Sequence, residues 1–310
     1  MDDFLHAPDV RYVRGRSSPE GFWLDSFDYG AFLTHVTTRE PSADDEVLVV
    51  EGIFLHREEL RGLWDASLFL DVPFTVTAAR MALRDGTSAD PWDPSMRRYI
   101  DGQVLYFASA RPWERATIVL DNTDVDARVR SDPAGSWAAR AAWPVRAERP
   151  DDITAVRAVT RAAFPTDAEA DLVDALRADP AWIDGLSMVA QDGAGDVVAH
   201  ALLTRCHVGQ APALCLAPVS VRPDVQGRGA GTAVVHGTVR AAREAGEAHV
   251  IVLGHPGYYP RFGFRPAEEA GIRLAIEVAP GALMALSLDP DRPLPSGVVR
   301  YAQPFAIPGE

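Results

Sequence analysis

The chain has 310 residues, 47% hydrophobic and 24% charged, enough for two domains with real cores and ordinary for a globular protein. A net charge of −14 argues against nonspecific nucleic-acid binding, which needs a basic face, and no apolar run approaches the ~20 residues of a membrane-spanning helix. The two cysteines, Cys206 and Cys215, make no disulfide framework or metal site; both lie in apolar runs and read as buried thiols. The acidic start, Met1-Asp2-Asp3, lacks the plan of a signal peptide, so the expected compartment is the cytoplasm, with no membrane partner.

Over residues 1–130 the strand candidates are 47–50, 68–72 and 117–120. Helical stretches at 58–63, 74–84 and 95–108 lie between them, and this alternation predicts a parallel α/β sheet. Residues 131–142 contain Asp132-Pro133-Ala134-Gly135-Ser136 and an alanine-rich run, and they read as a linker. A second domain, 143–310, begins with a short strand at 144–147. Amphipathic helices follow at 153–164 and 168–177, the first opened by a turn at Asp151-Asp152. Strands at 187–191 and 197–207 straddle Asp192-Gly193-Ala194-Gly195-Asp196, a hairpin signal. The apolar run 213–221 is a buried strand, 232–245 a helix stopped by Gly246, and 249–253 a further strand.

Between strand and helix stands Gln226-Gly227-Arg228-Gly229-Ala230-Gly231. Amide N–H groups at a helix start lack intrahelical partners and carry partial positive charge, and glycines let a ligand come close to them. The natural guest is a phosphate or pyrophosphate. No G-x-G-x-x-G follows the strand, so this is not a dinucleotide fingerprint. It is not a Walker A loop either, because the chain has no Lys and all 30 basic residues are Arg.

The order Gln-x-x-Gly-x-Gly after a strand and a proline resembles the coenzyme loop of the GCN5-related N-acetyltransferases (GNAT). Tyr259-Pro260-Arg261-Phe262-Gly263-Phe264 resembles the end of that family's core. Leu216-Ala217-Pro218-Val219, the stretch from Leu253 to Phe264, and Pro280-Gly281-Ala282-Leu283 resemble a YhbS-like subgroup in particular. The resemblance covers 143–310 and implies a mixed sheet with flanking helices. It also implies N-acetyl transfer from acetyl-coenzyme A to an amine of a small molecule or peptide. By the same resemblance Gln226, Gly227, Arg228, Gly229, Ala230 and Gly231 hold the pyrophosphate. Val219, Ser220 and Val221 would pair with the pantetheine arm, and Tyr259 is the general acid. Tyr258 then reads as a packing residue. His200, His207 and His255 are candidates for acceptor contact or proton removal, and the base is not singled out. The acidic balance suits a cationic amine. The alternative is a non-catalytic acyl-coenzyme A-binding regulator.

Residues 1–130 resemble the uridine kinase-like P-loop kinases. The carriers are Ser18-Pro19-Glu20-Gly21-Phe22, Val49-Val50-Glu51-Gly52, Phe69-Leu70-Asp71-Val72-Pro73, Arg80, Arg97-Arg98-Tyr99 and Asp121-Asn122. In that comparison Asp2 falls at the family's catalytic aspartate. The first strand, the Walker A loop and the first helix would precede Met1. The expectation is therefore a truncated, degenerate kinase-like sheet without kinase activity, or a fusion with a miscalled start, or a module that receives a strand from elsewhere.

Overall fold

The computed structural model describes residues 1–39 and 46–307. The chain divides into two compact units, Met1–Pro144 and Val145–Glu310.

The first unit opens with three helices, α1 (Pro8–Arg11), α2 (Pro19–Asp25) and α3 (Tyr29–Thr38). Local chemistry starts two of them. Ser18 Oγ accepts the Gly21 N–H ahead of α2, with Pro19 at the first helical position, and Asp28 accepts the Ala31 N–H ahead of α3. Strand β1 (Leu68–Asp71) leads into α4 (Phe74–Asp85), which Gly86 closes at φ +71. Then come α5 (Arg97–Ala110), α6 (Pro112–Arg115), β2 (Ile118–Asp121), β3 (Val129–Arg130) and α7 (Trp137–Ala141). β1 and β2 run parallel, and β3 joins β2 antiparallel. The core is aromatic: Phe27, Phe54, Phe74, Phe107 and Trp113 bury together beneath α5 and β2.

Four expectations are corrected here. Residues 47–50 form no strand; Val47 and Val49 are 80% and 82% exposed. Their β-branched side chains favour extended backbone, but a strand also needs a ladder partner, and none pairs with them among the described residues. The three-stranded sheet is mixed rather than all parallel. The stretch read as a linker belongs to the first unit. The Asp71 carboxylate accepts the N–H groups of Trp137 (2.7 Å) and Ala138 (2.9 Å), capping α7 from a distant strand. Trp137 also packs edge-on against Phe74 at 4.6 Å. The helix expected at 58–63 shrinks to a single 3₁₀ turn, Glu58–Leu60.

The second unit follows its expected order. β4 (Val145–Ala147), α8 (Ile153–Ala163) and α9 (Ala168–Arg177) precede three long strands, β5 (Trp182–Gln191), β6 (Val197–Val208) and β7 (Ala211–Val221). After them come α10 (Ala230–Glu244), β8 (His249–Leu253), β9 (Arg265–Pro266), β10 (Ile272–Arg273), β11 (Leu283–Ser287) and β12 (Gly297–Arg300). The path across the sheet is β10-β12-β6-β7-β8-β11-β9, with β5 and β4 branching from β6. Val189 packs with α8 and α9 through Val156, Val159, Val173 and Leu176. Its neighbour Ala190 pairs with Val145, which lies against Gly237 of α10. Successive strand residues face opposite ways, so the two helix layers cover opposite faces of the sheet. Both faces being covered explains why β6 is buried along nearly its whole length.

Candidate functional site

The site begins with a parting of strands. β7 and β8 are parallel neighbours, but only Leu214 and Cys215 pair across, with Val250 and Ile251. Beyond Cys215, β7 keeps β6 on one side and has no strand on the other among the described residues. β8 continues with β11 instead. A bulge contributes to the parting. Between the pairs Ala201–Val219 and Leu203–Leu216, β7 carries one residue more than β6, and Pro218 sits there. A bulge bends its strand, and a proline is tolerated where the ladder is already interrupted. The backbone of Leu216 to Val221 is therefore left open on the side facing away from β6.

At the far end of β7 lies the glycine loop. Gln226 turns back to donate from Nε2 to the Val221 carbonyl (3.0 Å), tying the loop to the strand end. Gly227 and Gly229 adopt φ +74 and +101, left-handed conformations that side-chain-bearing residues rarely take. Gly229 is the N-cap of α10, so the N–H groups of Ala230, Gly231 and Thr232 open the first turn without helical partners. Gly231 is glycine for want of space: a Cβ there would lie 3.1 Å from Tyr258 Oη and 3.1 Å from Val221 Cγ2. All six loop residues named from the sequence thus gather between the end of β7 and the start of α10.

The turn after β8 supplies the other wall. Tyr258 binds back to the helix start through the Thr232 side chain, and the Arg261 guanidinium lies 4.6 Å from its ring centroid. Its hydroxyl is already engaged, in keeping with a packing role. The Tyr259 ring presses its edge against Gly254, where a Cβ would fall 2.3 Å from Cε2. Phe262 and Phe264 hold the ring from other sides. Desolvation, followed by the Tyr258 and Cys215 side chains, pushes its phenol up to about 12, so it stays protonated at neutral pH. Cys215 lies close by, buried, with its thiol pushed well up by burial; Cys206 is pushed up to about 12 for the same reason. Neither is a thiolate nucleophile.

The histidines separate. His200 is fully buried, so its ring is closed to any bound acceptor. Its Nε2 donates to Ser187 Oγ (2.9 Å), Ser187 donates to Glu148, and Glu148 pairs with Arg177 at 2.5 Å. Burial, with Arg177 nearby, lowers its imidazole to about 3, so it stays neutral. This is a structural network linking the end of α9 to the sheet. His207 is half-buried near the end of β6, opposite Pro212 and Arg300. His255 is exposed in the turn after β8, four residues before Tyr259. Ser220 turns its hydroxyl into the core toward Thr160 (3.1 Å), leaving only its backbone for the open strand edge.

Two residues escaped the sequence reading. Gly254 makes room for the Tyr259 ring, and only its position before a turn hinted at that. Tyr301 packs into the cluster around Cys206 and Cys215 with its hydroxyl buried and without a hydrogen-bond partner among the described residues, and no sequence signal marks it. It lies on the same patch of core as the thiol beside Tyr259.

The acetyltransferase (GNAT) family pattern matches residues 153–264. The Escherichia coli K12 protein named as the uncharacterized N-acetyltransferase YjhQ is 38% identical over 119 residues, which cover 37% of this chain and 65% of that one, just under two thirds of its length. The E. coli K12 protein named as the uncharacterized N-acetyltransferase YhbS is 34% identical over 131 residues, covering 42% of this chain and 77% of that one. A crystal structure of the GNAT family N-acetyltransferase YhbS from E. coli, in complex with CoA, superposes with a TM-score of 0.50 at 29% identity. It covers 54% of this chain and 93% of that one.

Proposed function

The chain belongs to the acetyltransferase (GNAT) family, and from that premise we propose that its second unit moves an acetyl group from acetyl-coenzyme A to an amine. The observation that carries this reading is the open β7 edge, with a glycine cradle at one end and a protonated tyrosine at the other. The cradle suits the coenzyme because a Cβ at Gly231 would crowd it and the φ values of Gly227 and Gly229 require glycine. Amides of the loop and of the α10 start hold the pyrophosphate. Strand-edge backbone of Val219, Ser220 and Val221, which pairs with no strand on the β8 side among the described residues, pairs with the pantetheine amides, and a free N–H there stabilises the oxyanion.

The neutral amine attacks the thioester carbonyl, forming the C–N bond. The C–S bond breaks, and the departing thiolate takes the Tyr259 proton. The amine's surplus proton leaves to solvent or to a base among His207, His255 and ordered water. A cationic amine is the acceptor class that matches the acidic chain. Two free buried thiols agree with a cytoplasmic location.

For the first unit we keep the narrower reading of a kinase-like sheet without phosphoryl transfer. Its support is the parallel β1–β2 pairing and a chain lacking any Lys. Incubation with acetyl-coenzyme A and a panel of amines, followed by thiol release, tests the main reading. Turnover with at least one amine, reduced about a hundredfold in Tyr259→Phe, is expected. Coenzyme binding without turnover of any amine would favour the non-catalytic regulator.

A further inference from the structure

The first unit contains a cavity of about 310 Å³, at the lower end of the size range of small-molecule sites. It opens where β1 and β2 begin. Ser67 and Thr117, the residues just before the two strands, stand on its wall, and so do His56, Arg57, Arg61, Arg115, Trp64 and Leu60.

The polar groups on this wall are mainly donors. Ser67 N–H donates to Thr117 Oγ1 (3.0 Å), and Thr117 N–H donates to Ser67 Oγ (3.3 Å). Each hydroxyl oxygen is thus an acceptor already, and each keeps its own proton to give. The Tyr106 hydroxyl accepts the His56 backbone N–H at 3.2 Å and has the ring Nδ1 at 3.4 Å to donate to. That leaves the His56 proton on Nε2, which is buried without a hydrogen-bond partner among the described residues. Desolvation and the nearby Arg115 hold the ring below the usual histidine range, in its neutral form.

Three guanidiniums and one carboxylate, Glu114, line the cavity. Arg57 is fixed: it is buried, lies over the Tyr29 ring at 3.8 Å, and forms a fork with Glu59. Arg115 donates to the His56 carbonyl (2.9 Å) and shares Glu58 with Arg61. Glu58 is 62% exposed, so it is a weak, well-hydrated competitor for those two arginines. Glu114 is itself paired with Arg111. A ligand oxygen that displaces Glu58 would meet two guanidiniums and two hydroxyl donors, while Trp64 and Leu60 cover its apolar part.

We propose that this cavity binds a small metabolite through an oxyanion group, a phosphate or a carboxylate. The site is independent of the acetyl-transfer site and of the reading given to it. The test uses the full chain with coenzyme A present, so that the glycine loop is filled. Inorganic phosphate and acetate are titrated separately while the histidine ring ¹H–¹⁵N resonances are followed. A saturable shift of the His56 resonances with either anion is expected, and the more effective anion identifies the group. Arg61→Gln combined with Arg115→Gln is expected to weaken that anion at least tenfold. Ser67→Ala, a milder change, is expected to weaken it severalfold and guards against misfolding of the double variant. No saturable shift with either anion, or equal affinity in Ser67→Ala and the parent, overturns the proposal.

Discussion

Gly254→Ala tests the placement of Tyr259 with the smallest possible change. The added carbon would stand 2.3 Å from the ring Cε2, 3.1 Å from Cδ2 and 3.2 Å from Cζ. Ordinary carbon contact is about 3.5–4.0 Å, so the ring must retreat by more than about 1 Å. It has nowhere easy to go, since Tyr258, Phe262 and Phe264 pack around it. Overpacking of this kind costs about 1–3 kcal/mol of stability. The larger effect is on chemistry: a 1 Å misplacement of a reacting group costs on the order of 10²-fold in rate. The loop and the α10 start are untouched, so coenzyme affinity should change by less than about threefold. Steady-state thiol release, with the best amine from the panel, measures kcat; calorimetry measures coenzyme affinity. A double-mutant cycle sharpens the result, because Gly254→Ala should add nothing once Tyr259 is Phe. Unchanged kcat in Gly254→Ala, or a full additional loss in the double variant, would refute the role given to Tyr259.

Other outcomes follow from the same geometry. Tyr259 titrates near 12, so the alkaline limb of kcat below about pH 11 should be the same in the parent and in residual Tyr259→Phe activity. Asp71→Ala removes the acceptor of two helix-start N–H groups and should destabilise the first unit by roughly 1.5–3 kcal/mol in urea unfolding. His200 of β6 and His236 of α10 are both lowered to about 3, chiefly by burial. Below pH 6.5 the unfolded chain binds protons that these folded histidines refuse, so their contribution is full above that pH and is lost on acidification toward 3. Each histidine contributes a slope of up to about 1.4 kcal/mol per pH unit. His200→Gln should flatten the fall measured between pH 6.5 and 5, and an unchanged slope would contradict the neutral assignment.

The elements that carry the proposed acetyl-transfer site were largely legible because their signals are local. An apolar run, a glycine turn and an amphipathic helix are adjacent in sequence, and β7, the loop and α10 form within a residue or two of their expected limits. The Tyr259 turn is equally compact. What the sequence hid depends on distant partners. Residues 47–50 have the composition of a strand, yet strand formation is decided by a neighbour that none of the described residues supplies. The 131–142 stretch has turn formers typical of a linker, but Asp71 fixes its helix from 66 residues away. His200 looked available until Glu148, Ser187 and Arg177 closed around it. Gly254 and Tyr259 are five residues apart, and only the fold presses one against the other.

The central claim is that the opening between β7 and β8, closed at one end by the glycine loop, holds acetyl-coenzyme A. Calorimetric titration of the full chain with acetyl-coenzyme A tests it most directly, with Gly231→Val beside the parent. The valine side chain would intrude on Tyr258 Oη and Val221. Saturable binding at one site in the parent, weakened at least tenfold in Gly231→Val while the first unit unfolds at an unchanged urea concentration, is the predicted result. Absence of binding by the parent, or equal affinity in the variant, would contradict it.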